Sequence, residues 1–136
     1  MNQQFPMRYL QRISTILCLA LTLSSLSLAQ TSPDVSGQWH GTLTAGQFEP
    51  LEVIFHIQGQ PDAWTATLDI PTHSRFGLTA DSVSVRNGNL MIRVNSLQVE
   101  YYGSLLLDGE TVIAIDGDWG QSGEHVPLKL TAVKAD

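Results

Sequence analysis

The chain has 136 residues, 43% of them hydrophobic, with 7 Lys and Arg against 13 Asp and Glu and one cysteine, a net charge of −6. An acidic, lysine-poor surface argues against nucleic acid or anionic membrane as the partner, and a lone cysteine excludes an intrachain disulfide framework.

Residues 1–29 have the order of a cleavable secretory signal. Arg8 and Arg12 stand with no acid, an apolar stretch begins at Ile13, and small residues lead to Ser27-Leu28-Ala29. An apolar run this short, diluted by Ser and Thr, spans a bilayer poorly. Leu17, preceding Cys18, occupies the place where a lipoprotein signal needs a small residue. Cleavage after Ala29 removes Cys18 and both arginines, leaving 107 residues with five basic and thirteen acidic side chains, a net charge of −8. The expected location is therefore outside the cytoplasm, periplasmic or secreted, and a chain of this size folds on a hydrophobic core without disulfides.

Residues 30–35 read as a short polar lead, and 36–134 as a single domain. From Gly37 to Thr44, Trp39, Gly41 and Leu43 alternate with Gln38, His40 and Thr42, the period of a half-buried strand. Leu51 to Gln58 repeats the pattern with Leu51, Val53, Phe55 and Ile57 in phase. A turn at Gln58–Asp62 leads to Trp64, Ala66, Leu68 and Ile70, and Pro71 stops that strand. Pro71 to Thr79 reads as an irregular connection. Ser82–Arg86 and Asn89–Val94 flank Asn87-Gly88, a pair suited to the positive φ angles of a two-residue hairpin turn. Leu97–Leu106, Thr111–Trp119 and Val126–Ala132 complete about eight strands, with Asp108-Gly109 as a further turn.

Short strands, short turns and no crossover helix predict an all-β antiparallel meander. Closure into a small lipocalin-like barrel would remove exposed edges; an open two-sheet sandwich is the alternative. An outer-membrane barrel fits poorly, because its strands need roughly 9 to 11 residues and an outward apolar band.

Residues that could carry chemistry are sparse. Gly120-Gln-Ser122-Gly123 falls one residue short of the Gly-x-Ser-x-Gly elbow and lies between strands, which predicts a polar turn. His40, His56, His73 and His125 lack the spacing of a metal site, although His40 and His56 share a polar face on neighbouring strands. Asp116-Gly-Asp118 lacks the rest of a calcium ladder and reads as a tight turn or bulge. The expectation is no enzyme, no catalytic residue, no metal and no cofactor.

Trp39, Phe55, Trp64, Tyr101 and Trp119 all occupy the apolar phase, whereas Glu100 and Tyr102 fall on the solvated one. The five aromatics can line a ligand cavity or fill the barrel as core.

Gly37-Gln-Trp39 resembles the Gly-x-Trp opening of lipocalins and other calycins, whose tryptophan closes one barrel end beneath a basic residue; that resemblance implies Lys129 or Lys134 in the covering role. A second resemblance spans nearly all of the chain after residue 35. Ser36–Leu43, Leu51–Ile57, Ala66–Pro71, Asp81–Val85, Tyr101–Leu105, Ile115–Gln121 and Val126–Leu130 come in the order seen in the non-catalytic β domain that precedes the catalytic domain of many exported α/β-hydrolases. The Thr72–Gly77 segment departs from the Asp-Gln-Gly-like connection of that pattern, and the resemblance is to a free-standing version of the domain. Two functions are expected from these readings. One is binding of a small apolar or amphiphilic molecule; the other is an accessory module for a separately encoded secreted hydrolase.

Overall fold

The alternation of apolar and polar residues is realised as nine strands in a computed structural model that describes residues 32–133; the expected signal at 1–29 and Lys134 lie outside them. The strands are β1 (Gly37–Leu43), β2 (Leu51–Gln60), β3 (Ala63–Ile70), β4 (Arg75–Thr79), β5 (Ser82–Arg86), β6 (Asn89–Val94), β7 (Val99–Asp108), β8 (Thr111–Gln121) and β9 (Glu124–Ala132). All pair antiparallel in one sheet of order β4-β3-β2-β1-β9-β8-β7-β6-β5, so the two-sheet sandwich does not form. The sheet curls into a half-barrel. Its two terminal strands, β4 and β5, are consecutive in the chain: the Ala80 N–H donates to the Ala66 carbonyl on β3 at 2.9 Å, and the Asp81 N–H to the Arg93 carbonyl on β6 at 2.8 Å. No helix among the described residues is long and apolar enough to cross a membrane.

Where eight strands were expected there are nine, because Arg75–Thr79 pairs with β3 instead of looping freely. Its pairing is carried by backbone, with the register shifting between Leu68 and Ile70. Its side chains hide it from pattern reading, since Phe76 is 64% exposed and Gly77 has φ +64°. The Asp116-Gly-Asp118 segment is neither turn nor bulge. It lies in the β8 ladder, with Asp116 opposite Lys129 and Asp118 opposite Pro127 on β9. Val35, assigned to the polar lead, is fully buried in the core. The covering role for Lys129 fails as well. That side chain is exposed on the outward phase of β9, and the Trp39 indole is satisfied by its own chain, donating to the Val35 carbonyl at 2.9 Å.

The hairpin at Asn87-Gly88 forms as expected, with φ values of +52° and +77°. Ser122-Gly123 repeats that pattern at +52° and +85° between β8 and β9. Two longer connections use a shared device. A 3₁₀ turn at Pro71–His73 ends in Ser74 in the left-handed region, and one at Asn95–Leu97 ends in Gln98 in the same region. Aspartates bind nearby backbone donors. The Gly77 N–H reaches Asp69 Oδ1 at 2.7 Å, and the Asn95 N–H reaches Asp81 Oδ2 at 2.6 Å.

Asp69 also accepts from His56 Nε2 at 2.8 Å. Its carboxyl is held below the ordinary range, chiefly by the Gly77 N–H, with burial opposing that effect and the His56 hydrogen bond and charge adding to it. A depressed carboxyl stabilises the fold above the unfolded-state value, and that stabilisation is lost as pH falls through the folded one. Asp69→Asn is expected to cost about 1 kcal/mol near neutrality and to flatten the acid limb of stability below about pH 4. Urea unfolding across that range measures both effects.

Candidate functional site

The interior is built by the inward phase of the strands, and the five predicted aromatics all belong to it. Relative exposure runs from 0% for Phe55 and Tyr101 to 8% for Trp64. Trp39 pairs with Phe55 across β1 and β2, and Tyr101 pairs with Trp119 across β7 and β8. The Phe55 ring packs tilted against both members of the second pair, 5.8 Å from Tyr101 and 6.3 Å from Trp119 between centroids. Trp64 stands apart, opposite Gly59 and four residues along β3 from Leu68, the partner of Phe55.

Tyr101 crosses the core through a gap made by glycine. Gly103 and Gly117 face each other across β7 and β8, and a Cβ on Gly117 would stand 2.9 Å from the Tyr101 hydroxyl. The phenol thereby reaches β9 and donates to the Leu128 carbonyl at 2.8 Å. Burial pushes its pKa well above the usual phenol range, with the charges of Asp116 and Asp118 adding to the effect.

A cleft of about 570 Å³ opens at the end of the barrel where this core meets the β1–β2 loop. Leu43, Leu51, Trp119 and Val126 form its apolar floor. The loop contributes Ala45, Phe48 and Glu49; His73 comes from the first 3₁₀ turn, and Gln121, Ser122 and Glu124 come from the β8–β9 hairpin. Phe48 is 81% exposed, although its N–H anchors the loop by donating to the Ala45 carbonyl at 3.2 Å. Of the five predicted aromatics, Trp119 alone borders the cleft.

The far wall is held by polar side chains. The Trp119 Nε1–H donates to Gln121 Oε1 at 3.2 Å, and Gln121 Nε2 donates to the Leu97 carbonyl at 3.1 Å. The Ser122 hydroxyl donates to Gln98 Oε1 at 3.3 Å. These bonds tie the β8–β9 hairpin to the turn before β7 and pre-shape the wall, which lowers the ordering cost of binding. Ser122 thus sits in a two-residue turn, with its hydroxyl engaged by an amide.

The remaining candidates are distributed over the outer wall. His40 Nδ1 lies 3.6 Å from Glu52 and His56 Nε2 lies 2.8 Å from Asp69, so the two histidines turn to separate carboxylates. Glu100 pairs with Arg93 at 3.0 Å, and Tyr102 is 47% exposed. A smaller hollow of about 410 Å³ lined in part by Glu100 and Tyr102 includes Asp118 and His125. Among the described residues no group of three or more His, Cys, Asp or Glu is placed to hold a metal ion.

Sequence reading missed most of the cleft. Phe48 was the available signal: an aromatic inside the Ala45–Pro50 loop has no strand phase to satisfy, and binding residues concentrate on loops held by a rigid scaffold. No protein-family model, curated protein or solved structure matches the chain, so its site rests on its own geometry.

Proposed function

We propose that this is an exported, non-catalytic binding domain that takes a small apolar or amphiphilic molecule into the cleft at the barrel end. The observation that carries the reading is the apolar floor of Leu43, Leu51, Trp119 and Val126 beneath an exposed Phe48, within a volume of about 570 Å³. Small-molecule sites combine such a lining with a few polar groups at the rim. Of the aromatic phase expected to form the site, Trp119 belongs to the floor, and Trp39, Phe55, Trp64 and Tyr101 belong to the core.

An eight-carbon alcohol is a suitable first probe. Burying its methylenes at about 0.8 kcal/mol each, less the cost of immobilisation, gives a Kd on the order of 0.1 to 1 mM. At about ten times that Kd, 1-octanol is expected to stabilise the fold by roughly 1.4 kcal/mol, a rise in Tm of about 6 °C or more for a domain of this size. Phe48→Ser is expected to remove most of the rise while leaving the unliganded Tm nearly unchanged. No rise with 1-octanol or with a wider panel of lipids and metabolites overturns the reading.

A second reading is supported by the opposite end of β7 and β8. Leu106 pairs with Ala114 and Leu107 with Val112, so Ile113 is the extra residue of a bulge. Leu106, Leu107 and Ile113 are 38 to 51% exposed. Such a group suits a protein contact, in keeping with an accessory module for a secreted hydrolase. A pull-down that recovers a hydrolase from wild type and loses it on Ile113→Asp supports this reading; recovery of no hydrolase counts against it.

A further inference from the structure

We propose that the cleft selects amphiphiles whose polar end is a cation, an alkylammonium in the simplest case. This rests on the reading that the cleft is the binding site. The floor is apolar, but the two charged side chains of opposite sign to an ammonium, Glu49 and Glu124, come from two separate elements, the β1–β2 loop and the β8–β9 hairpin. Among the described lining residues there is no Lys or Arg, and the one further titratable side chain is His73 on the first 3₁₀ turn. An ammonium held over the floor therefore meets two carboxylates and no fixed positive charge, whereas a carboxylate in the same place meets repulsion from both.

The wall bearing Glu124 is in place before binding. Gln121 pairs with Glu124 across the Ser122-Gly123 turn, and the bonds from Gln121 and Ser122 to the turn before β7 hold that hairpin. The other polar groups contribute less to charge selection. The Gln121 amide already bonds the Trp119 indole and the Leu97 carbonyl, and the Ser122 hydroxyl is engaged by Gln98. The acidic balance of the whole chain, 13 acids against 7 bases, attracts the same sign of ligand at longer range. Hydrophobic burial thus sets the basal affinity, and the two glutamates set the choice of head group.

Three probes of equal chain length separate these contributions: octylammonium, 1-octanol and octanoate, titrated calorimetrically into the purified protein at about pH 8, where the carboxylates are ionised. Octylammonium is expected to bind about tenfold tighter than 1-octanol, the order that two exposed carboxylates at the rim allow, and octanoate weaker than either. Raising salt from about 20 mM to about 500 mM is expected to narrow the preference severalfold. The double variant Glu49→Gln/Glu124→Gln is expected to bring amine and alcohol within about twofold, with its urea-unfolding curve reporting that the variant is folded. Equal binding of amine and alcohol by wild type, tighter binding of octanoate, or a preference that survives in the double variant overturns charge selection but leaves the cleft as the site. Failure of all three probes to bind overturns both.

Discussion

Phe55→Ala is expected to remove about 3–5 kcal/mol of folding stability, the range for truncating a fully buried phenylalanine. Phe55 is 0% exposed, lies between Trp39 on β1 and Leu68 on β3 in the ladder, and is the ring that Tyr101 and Trp119 both pack against. It joins the β1–β3 side of the curl to the β7–β8 side, so truncation opens a cavity that neighbours on two sides would have to fill. A domain of this size has about 5–15 kcal/mol in total, and a roughly 15 °C or greater fall in Tm follows. Urea unfolding measures the loss; a change below about 1 kcal/mol would place Phe55 outside the cooperative core.

Gly117→Ala is expected to cost about 3 kcal/mol, at the upper end for inserting a methyl group into packed structure. The new Cβ would stand 2.6 Å from the Gly103 Cα and against the Tyr102 carbonyl oxygen, both backbone atoms that cannot rotate away. The facing change, Gly103→Ala, first meets the Ile115 Cγ2 at 2.7 Å and the Tyr101 hydroxyl at 3.0 Å, which are side-chain atoms. It should cost less, about 1–2 kcal/mol. Tyr101→Phe should not rescue Gly117→Ala, because the hydroxyl is the mildest of the three clashes. Equal costs for the two glycines, or rescue by Tyr101→Phe, would contradict this account of the glycine pair.

The strands were legible where burial on one face imposed a period of two. Trp39 and Leu68 declare their faces because each stands between polar neighbours, Phe55, Tyr101 and Trp119 because each has a polar neighbour on at least one side, and Asn87-Gly88 declares its turn by the backbone angles it permits. Where that coupling is weak, reading failed. β4 is held by main-chain bonds to β3 while Phe76 faces solvent, so its side chains carry no alternation to read. Asp116-Gly-Asp118 looks like a turn by composition. Its glycine is instead required by the close approach of the β7 backbone at Tyr102 and Gly103, a tertiary demand that local pattern does not contain.

The cleft was hidden for a related reason. Leu43 and Trp119 are 76 positions apart in the sequence and meet only because β1 pairs with β9 and β9 with β8. The loop that supplies Phe48 and Glu49 has no period of its own. Composition could identify an aromatic phase, but which aromatic borders the cleft depends on how the sheet curls. Trp119 does so because it lies near the β8–β9 hairpin end; Trp39 and Phe55 are covered from both sides.

The three tryptophans offer the most direct test of the proposed binding site, because each indole N–H gives its own signal in a proton–nitrogen correlation spectrum. Trp119 borders the cleft through a wall where its indole bonds Gln121, Trp39 is bonded to Val35 within the core, and Trp64 lies along β3 beyond them. On titration with 1-octanol, the Trp119 indole and the backbone amides of Leu43, Phe48 and Leu51 are expected to move together along one saturating curve, while the Trp39 and Trp64 indoles stay in place. A titration in which Trp119 stays fixed, or in which the amides around Ile113 move instead, would contradict a binding site at this end of the barrel.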